Sequence, residues 1–344
     1  MWPVYGECQP DAAATAPTSR RGFLKDSVRG LLGGFAASEF VATGVLGRRS
    51  ARAETLKDSP ATMTLGMGNY GLQSLPVGEA IDLIDRLGFD ALELSLMPDW
   101  PSAPGKLGAD TRAVLRSRLA SSGLKLRALM EDLPPAADDE THRQQLERLR
   151  RAADLGRQLS PDSPPLLQTV LGGGAWEEQR PLFARRLAEW RDLAQREQFR
   201  IAIKPHRAGA MSTPAQGLSL LRELGDSPWL GLVFDYSHYA FRDLPLQETL
   251  AEALPRVWHV AVKDVRRRDA GFEFDLPGVT GTIDHAAMLV QLREGGYRGD
   301  VCCEISSQVF KRAGYDPVAA VTTCARTMAE AFRAAGIPRP ERRK

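Results

Sequence analysis

From residue 63 onward, short apolar runs alternate with amphipathic stretches long enough to be helices, and the alternation repeats eight times. The runs fall at 63–67, 91–96, 125–130, 166–170, 201–204, 230–235, 257–263 and 301–304. Helical spacing lies between them, as in 77–87, where Ile81, Ile84 and Leu87 recur and Gly88 follows as a stop. Short strands alternating with helices predict a parallel sheet with helical crossovers. Eight such units in about 280 residues is the size of a closed (β/α)8 TIM barrel. An open doubly wound sheet is the alternative.

In a barrel, alternate strand residues face the interior, so chemistry should sort at period two. Across 91–96 the leucines share one face and Ala91, Glu93 and Ser95 the other. Ile201 and Ile203 alternate with Ala202 and Lys204, and Val260 and Val262 with His259, Ala261 and Lys263. The same rule turns Gln168, Asp235, Glu304 and Arg127 inward. The interior would then collect the carboxylates of Glu93, Asp235 and Glu304 with the cations Lys204, Lys263 and Arg127. Enclosed charges must be desolvated and paired, which stability alone rarely favours. Lys204, Asp235 and Glu304 fall at C-terminal strand ends, where parallel α/β folds keep their chemistry.

Charge narrows the partners. Seven of the 45 Lys/Arg and four of the 43 Asp/Glu lie in 1–53, leaving 38 basic against 39 acidic residues in the remainder. A body so close to neutral is not built for nucleic acid. Four cysteines (8, 302, 303 and 324) exclude a disulfide scaffold, leaving open one bridge to Cys324. Arg20 and Arg21 precede a Gly/Ala-rich apolar stretch at 31–46 and then Ala51-Arg-Ala53, with small residues where a signal peptidase needs them. This resembles the export signal of the bacterial twin-arginine pathway, which carries folded proteins. It implies cleavage after Ala53, the export machinery as a partner and a periplasmic product in a diderm host. The expected organisation is a signal at 1–53, a linker at 54–61, the barrel at 62–338 and a basic tail at 339–344.

Ile-Lys-Pro-His at 203–206, Phe-Asp-Tyr-Ser-His at 234–238, His-Val-Ala-Val-Lys-Asp at 259–264, Gly278, Gly281 and Glu304 together resemble the xylose isomerase-like TIM-barrel family. Its members include sugar and sugar-phosphate isomerases and epimerases and endonuclease-IV-type barrels. The resemblance implies a carbohydrate substrate and a divalent metal such as Mn, Mg or Zn, held by Glu, Asp, His and Glu from strands five to eight. Asp235 and Glu304 match two of these ligands, and His238 matches a substrate contact. The other two positions hold Lys204 and Ala261, and neither an ammonium nor a methyl group has a lone pair for a metal. His259 faces inward two residues deeper. Two carboxylates at one mouth need a cation between them, and Lys204 is expected to supply it in place of a metal.

The resulting expectation is an exported sugar isomerase or epimerase that moves a proton beside a carbonyl. Asp235, Glu304 and Glu93 would be acid/base groups and Lys204 the electrophile, with His206, His238, Lys263, Gln168 and Arg127 contacting substrate. A non-catalytic carbohydrate-binding barrel and a lysine-dependent sugar lyase are the alternatives. An abasic-site endonuclease ranks last, since it needs a histidine-rich metal cluster and a basic face. Gly172-Gly-Gly174 and Arg266-Arg-Arg268 are read as a flexible loop and a solvated charged loop, with anion binding the less favoured reading of each. His142 and His285 are read as surface or helix residues. Trp100, Tyr236 and Tyr239 are read as pocket wall or packing.

Overall fold

The computed structural model describes residues 63–242, 244–269 and 271–341; the expected signal and linker lie outside the described residues. Eight strands form the barrel: β1 (Thr64–Gly68), β2 (Ala91–Ser95), β3 (Lys125–Met130), β4 (Leu166–Thr169), β5 (Ile201–Ile203), β6 (Leu230–Phe234), β7 (Val257–Val262) and β10 (Asp300–Cys303). They close in the order β1-β10-β7-β6-β5-β4-β3-β2, every neighbouring pair parallel. All eight expected strands are present, and the closed barrel replaces the open-sheet alternative.

Helices α1 (Val77–Arg86), α2 (Ala109–Ser122), α3 (Asp139–Leu159), α4 (Trp176–Glu197), α5 (Pro214–Glu223), α6 (Leu246–Ala253), α7 (His285–Glu294), α8 (Ser307–Phe310) and α9 (Pro317–Ala334) follow or connect the strands. Their limits are local chemistry. Helix α1 buries Val77, Ala80, Ile81, Leu83 and Ile84, and the chain turns out at Gly88 with φ 80°. In α5, Pro214 takes the first turn, and Thr213 and Gln216 form a reciprocal capping box.

Alternation along the strands divides the core in two. Ile201, Ile203, Val260 and Val262 join the large apolar layer between barrel and helices, whereas Ala128, Leu166, Ala202, Val233 and Ala261 form a small separate cluster. These small apolar residues face the barrel interior, which they share with the buried polar side chains of Glu93, Gln168 and His259.

Two register shifts displace residues from the simple alternation. Leu92 pairs with Leu126 but Glu93 with Ala128, which makes Arg127 an extra residue in a bulge. Arg127 acts electrostatically on Arg200, just before β5, and on Asp300, the first residue of β10. It therefore belongs to the N-terminal end of the barrel, opposite the mouth, and the expected substrate contact is corrected. Trp258 is the extra residue between Val257 and His259. Its ring has Arg200 at 5.4 Å and Arg256 at 6.0 Å.

After β7 the chain forms an antiparallel ribbon of β8 (Asp264–Arg268) and β9 (Gly271–Asp275). The three arginines read as a loop are thus in a strand. Arg266 bonds Asp275 at 2.9 Å, Arg268 bonds Glu273 at 2.8 Å, and Arg267 lies 5.3 Å from the Phe272 ring. Arg339 is docked against Asp90 at 2.8 Å, so the barrel holds the residue where a tail was expected to begin. His142 and His285 are helix residues, the second of the two readings, and both are buried, the latter 2.7 Å from Asp264.

Candidate active site

Lys204, Asp235, Lys263 and Glu304 are each the residue immediately after a barrel strand: β5, β6, β7 and β10. Backbone bonds hold the first and last at the rim, Lys204 N–H to Thr169 O at 2.9 Å and Glu304 N–H to Val262 O at 3.0 Å. Four neighbouring parallel strands therefore bring two ammoniums and two carboxylates together. Lys204 donates to Glu304 Oε2 and lies 3.5 Å from Asp235 Oδ2. Lys263 donates to Asp235 Oδ2 and, at 2.8 Å, to Glu304 Oε1. Ser237 Oγ donates to Asp235 Oδ1 at 2.6 Å. The group is almost closed to water: Asp235 is 0% exposed, Lys263 1%, Lys204 4% and Glu304 8%.

The electrostatics follow from that closure. Burial pushes Glu304 up, but Lys204 and Lys263 outweigh it and bring the carboxyl down to about 2. Asp235 is likewise held well below the usual carboxylate range: burial opposes ionisation, and Lys263, His238 and Lys204 overcome it. For Lys204, burial lowers the pKa, yet Glu304, Asp235 and Glu93 raise it above the ordinary lysine value, so the side chain remains an ammonium.

Histidines stand beside the quartet. The rings of His206 and His238 are 4.1 Å apart. His238 Nε2 lies 3.3 Å from Asp235 Oδ2, while its Nδ1 accepts from Arg207 N–H at 3.4 Å. Burial first, opposed by Asp235 and aided by Lys263, lowers His238 to about 4. Phe274 of the ribbon closes this side, its centroid 5.0 Å from both the His238 ring and Lys263 Nζ. On the β1 and β2 side, Tyr70 stacks on Trp100 at 5.1 Å, and Phe310 meets Tyr70 edge-on at 5.2 Å. Trp100 thus packs in a rim cluster with Met97, and Tyr239 is fully buried.

Glu93 and Gln168 point inward as expected but form a second group with each other. Gln168 Nε2 donates to Glu93 Oε2, which lies 3.1 Å from His259 Nε2. Both are 1% exposed, so Glu93, expected as an acid/base group, and Gln168, expected as a substrate contact, are partnered with each other and with His259 rather than with the quartet. Glu93, His259 and Cys302 each offer a donor atom within 4.8 Å of the others, the kind of set that could hold a metal ion. Cys302 was not read as a site residue, although period two from Glu304 places it on the interior face. Cys302, Cys303 and Cys324 are all buried free thiols, so the possible bridge to Cys324 is not formed.

A sequence model of the xylose isomerase-like TIM barrel matches residues 81–327. The chain belongs to this family. Over 247 residues it is 26% identical to the L-ribulose-5-phosphate 3-epimerase UlaE of Salmonella paratyphi C (strain RKS4594), covering 69% of this chain and 86% of that protein. The barrel is also similar to 3-keto-D-glucoside 4-epimerase YcjR from E. coli in its apo form (TM-score 0.62, 17% identity, 79% of this chain and 99% of that one). It is similar as well to the probable 3-DHS dehydratase AsbF of Bacillus anthracis (TM-score 0.64, 14% identity, 78% and 99%). At these identities the two structures establish the fold alone.

As a xylose isomerase-like barrel, the chain has a mouth that does not fit the divalent metal its resemblance implies. Both Glu304 oxygens and Asp235 Oδ2 accept from lysine ammoniums, and Asp235 Oδ1 accepts from Ser237. Lys204 and Ala261 bring no lone pair. A dication would have to displace two fixed cations.

Proposed function

We propose that this family member is a sugar isomerase or epimerase in which Lys204 and Lys263 together take the place of a divalent metal. The observation that supports it is the quartet itself, two positive charges shared by two carboxylates at the C-terminal mouth. Removing a proton beside a carbonyl builds negative charge on the carbonyl oxygen. Ammoniums already fixed in a nearly dry site stabilise that charge without reorganising. A substrate oxygen drawing on Lys204 or Lys263 weakens their hold on Glu304. The carboxylate then becomes a stronger base at the moment it is needed. Glu304, the most exposed of the four, is assigned as the base. Asp235 keeps Lys263 and His238 in place, and His238, neutral at pH 7, contacts substrate.

A lysine-dependent lyase is less well supported, because three carboxylates keep Lys204 protonated and hence non-nucleophilic. A carbohydrate-binding barrel without catalysis is the second reading, favoured by how completely the quartet satisfies itself. The two are separated by NMR detection of deuterium taken up from D2O at the carbon beside the carbonyl, across a panel of ketoses and their phosphates. Uptake with at least one sugar is expected, and Glu304→Gln should slow it by about 10²-fold or more. Binding without uptake would give the non-catalytic reading. The chain is further proposed to be exported by its twin-arginine leader and cleaved after Ala53.

A further inference from the structure

Arg207 follows His206 in the loop after β5, and Arg242 lies in the turn after β6, both at the mouth of the barrel. The Arg207 guanidinium stands 4.8 Å from the centroid of Phe274, the ring that also meets Lys263 and His238. Arg242 donates to Arg207 O at 3.2 Å and to Ser212 Oγ at 2.8 Å, and lies 5.4 Å from the Phe241 centroid. The two are half-buried, and among the described residues neither has an ion pair. That sets them apart from the partly buried Arg148, held by Glu131, and from Arg266 and Arg312, held by Asp275 and Glu273. Arg207 Nε is moreover buried without a hydrogen-bond partner.

Two guanidiniums with no counter-charge among the described residues are an expensive arrangement for a protein to keep. Burial pushes both pKa values down, and the charge of Arg242 pushes Arg207 down further. Aromatic faces compensate only part of this cost. Planar forks of N–H donors bind phosphate and carboxylate in particular, where charge and geometry both match. Arg266 and Arg268 of the ribbon, by contrast, are already paired with its own acids, Asp275 and Glu273.

We infer that Arg207 and Arg242 form an anion subsite beside the quartet, so that the sugar bound there carries a phosphate or carboxylate group away from the reacting carbon. This rests on the reading of the barrel as a sugar isomerase or epimerase. The substrate class it names is a sugar phosphate or a sugar acid, with the neutral end over Lys204, Lys263 and Glu304 and the anionic end on the arginines.

The test is calorimetric titration of the purified protein at constant ionic strength with D- and L-ribulose, their 5-phosphates, D-galacturonate and inorganic phosphate. An anionic sugar should bind at least about tenfold tighter than a neutral one. Which anion gains distinguishes phosphate from carboxylate. Arg207→Gln and Arg242→Gln should each remove most of that gain and leave neutral-sugar affinity within about twofold, while Arg207→Lys should retain part of it. Equal affinity of the unsubstituted protein for ribulose and every anionic sugar would overturn the subsite, as would an anionic advantage that survives both glutamine variants. Neutral sugars that bind and exchange deuterium with no gain from the anion would remove this inference and leave the isomerase reading standing. No binding of any sugar would remove both.

Discussion

Asp235 and Glu304 each answer to both lysines, so losing one ammonium leaves the remaining three charges unbalanced in a closed site. Lys263→Met is expected to cost roughly 3–5 kcal/mol in urea denaturation, and Lys204→Met a similar amount. The pair also decides how a metal site would be rebuilt. Lys204→Glu with Ala261→His restores the family's donors but leaves Lys263 on the oxygens they must share. Stoichiometric zinc, measured by elemental analysis after dialysis, is expected only when Lys263→Ala is added. Zinc held by the double variant would show that Lys263 does not block the site. Acid should loosen the quartet. Glu304 has a folded pKa of about 2, below its unfolded value, so its contribution is complete above about pH 4.3 and is lost as pH falls toward 2. The loss is roughly 3 kcal/mol, and Asp235 shifts in the same direction. Between pH 6 and pH 3 the stability of Glu304→Gln should fall less than that of the unsubstituted protein. Lys204, Asp235 and Glu304 were legible as one group because each ends an apolar run. Lys263 was legible as an inward residue but not as an equal partner, since strand alternation gives a face and not the reach of a four-carbon side chain.

Strands create the interior, and β1 shows how little room it holds. A Cβ on Gly66 would lie 2.3 Å from Asp300 Oδ2, whereas one on Gly105 would meet nothing within 4 Å. Gly66→Ala should therefore destabilise by about 1–3 kcal/mol through overpacking. Gly105→Ala should stay within about 0.5 kcal/mol of the starting protein in the same denaturation series. The barrel strands were readable because apolar runs at period two are what a two-faced parallel strand requires. The β8–β9 ribbon was not, because Arg266, Arg267 and Arg268 carry no apolar pattern and pair through side-chain charge and aromatic faces instead. The bulges that move Arg127 and Trp258 were invisible for a related reason. A single extra residue reverses every facing beyond it, and nothing in composition marks where it enters. Arg127 was read as facing inward by unbroken alternation, and the bulge takes it out of that alternation.

At the scale of the whole chain, the proposed leader and the barrel pose a joint question of timing. Seven of the 45 basic residues fall in 1–53, and the remainder is close to neutral, so the segment proposed as an export signal is also where the surplus positive charge lies. A pathway that carries folded proteins requires the quartet to be assembled before crossing. Its four members come from strands β5, β6, β7 and β10, so it forms only when much of the barrel has closed. Replacing Arg20 and Arg21 by Lys is expected to leave full-length precursor in the cytoplasm with the barrel intact, seen as an unprocessed band in immunoblots of cell fractions. Lys263→Met, with its arginine pair untouched, should lower the periplasmic yield because less of the chain is folded when export begins. Adding Gly105→Ala alone should leave yield unchanged. Normal processing of the double lysine variant would rule out the twin-arginine route. Normal yield from Lys263→Met, together with the expected loss of stability in urea, would show that export does not wait for the quartet.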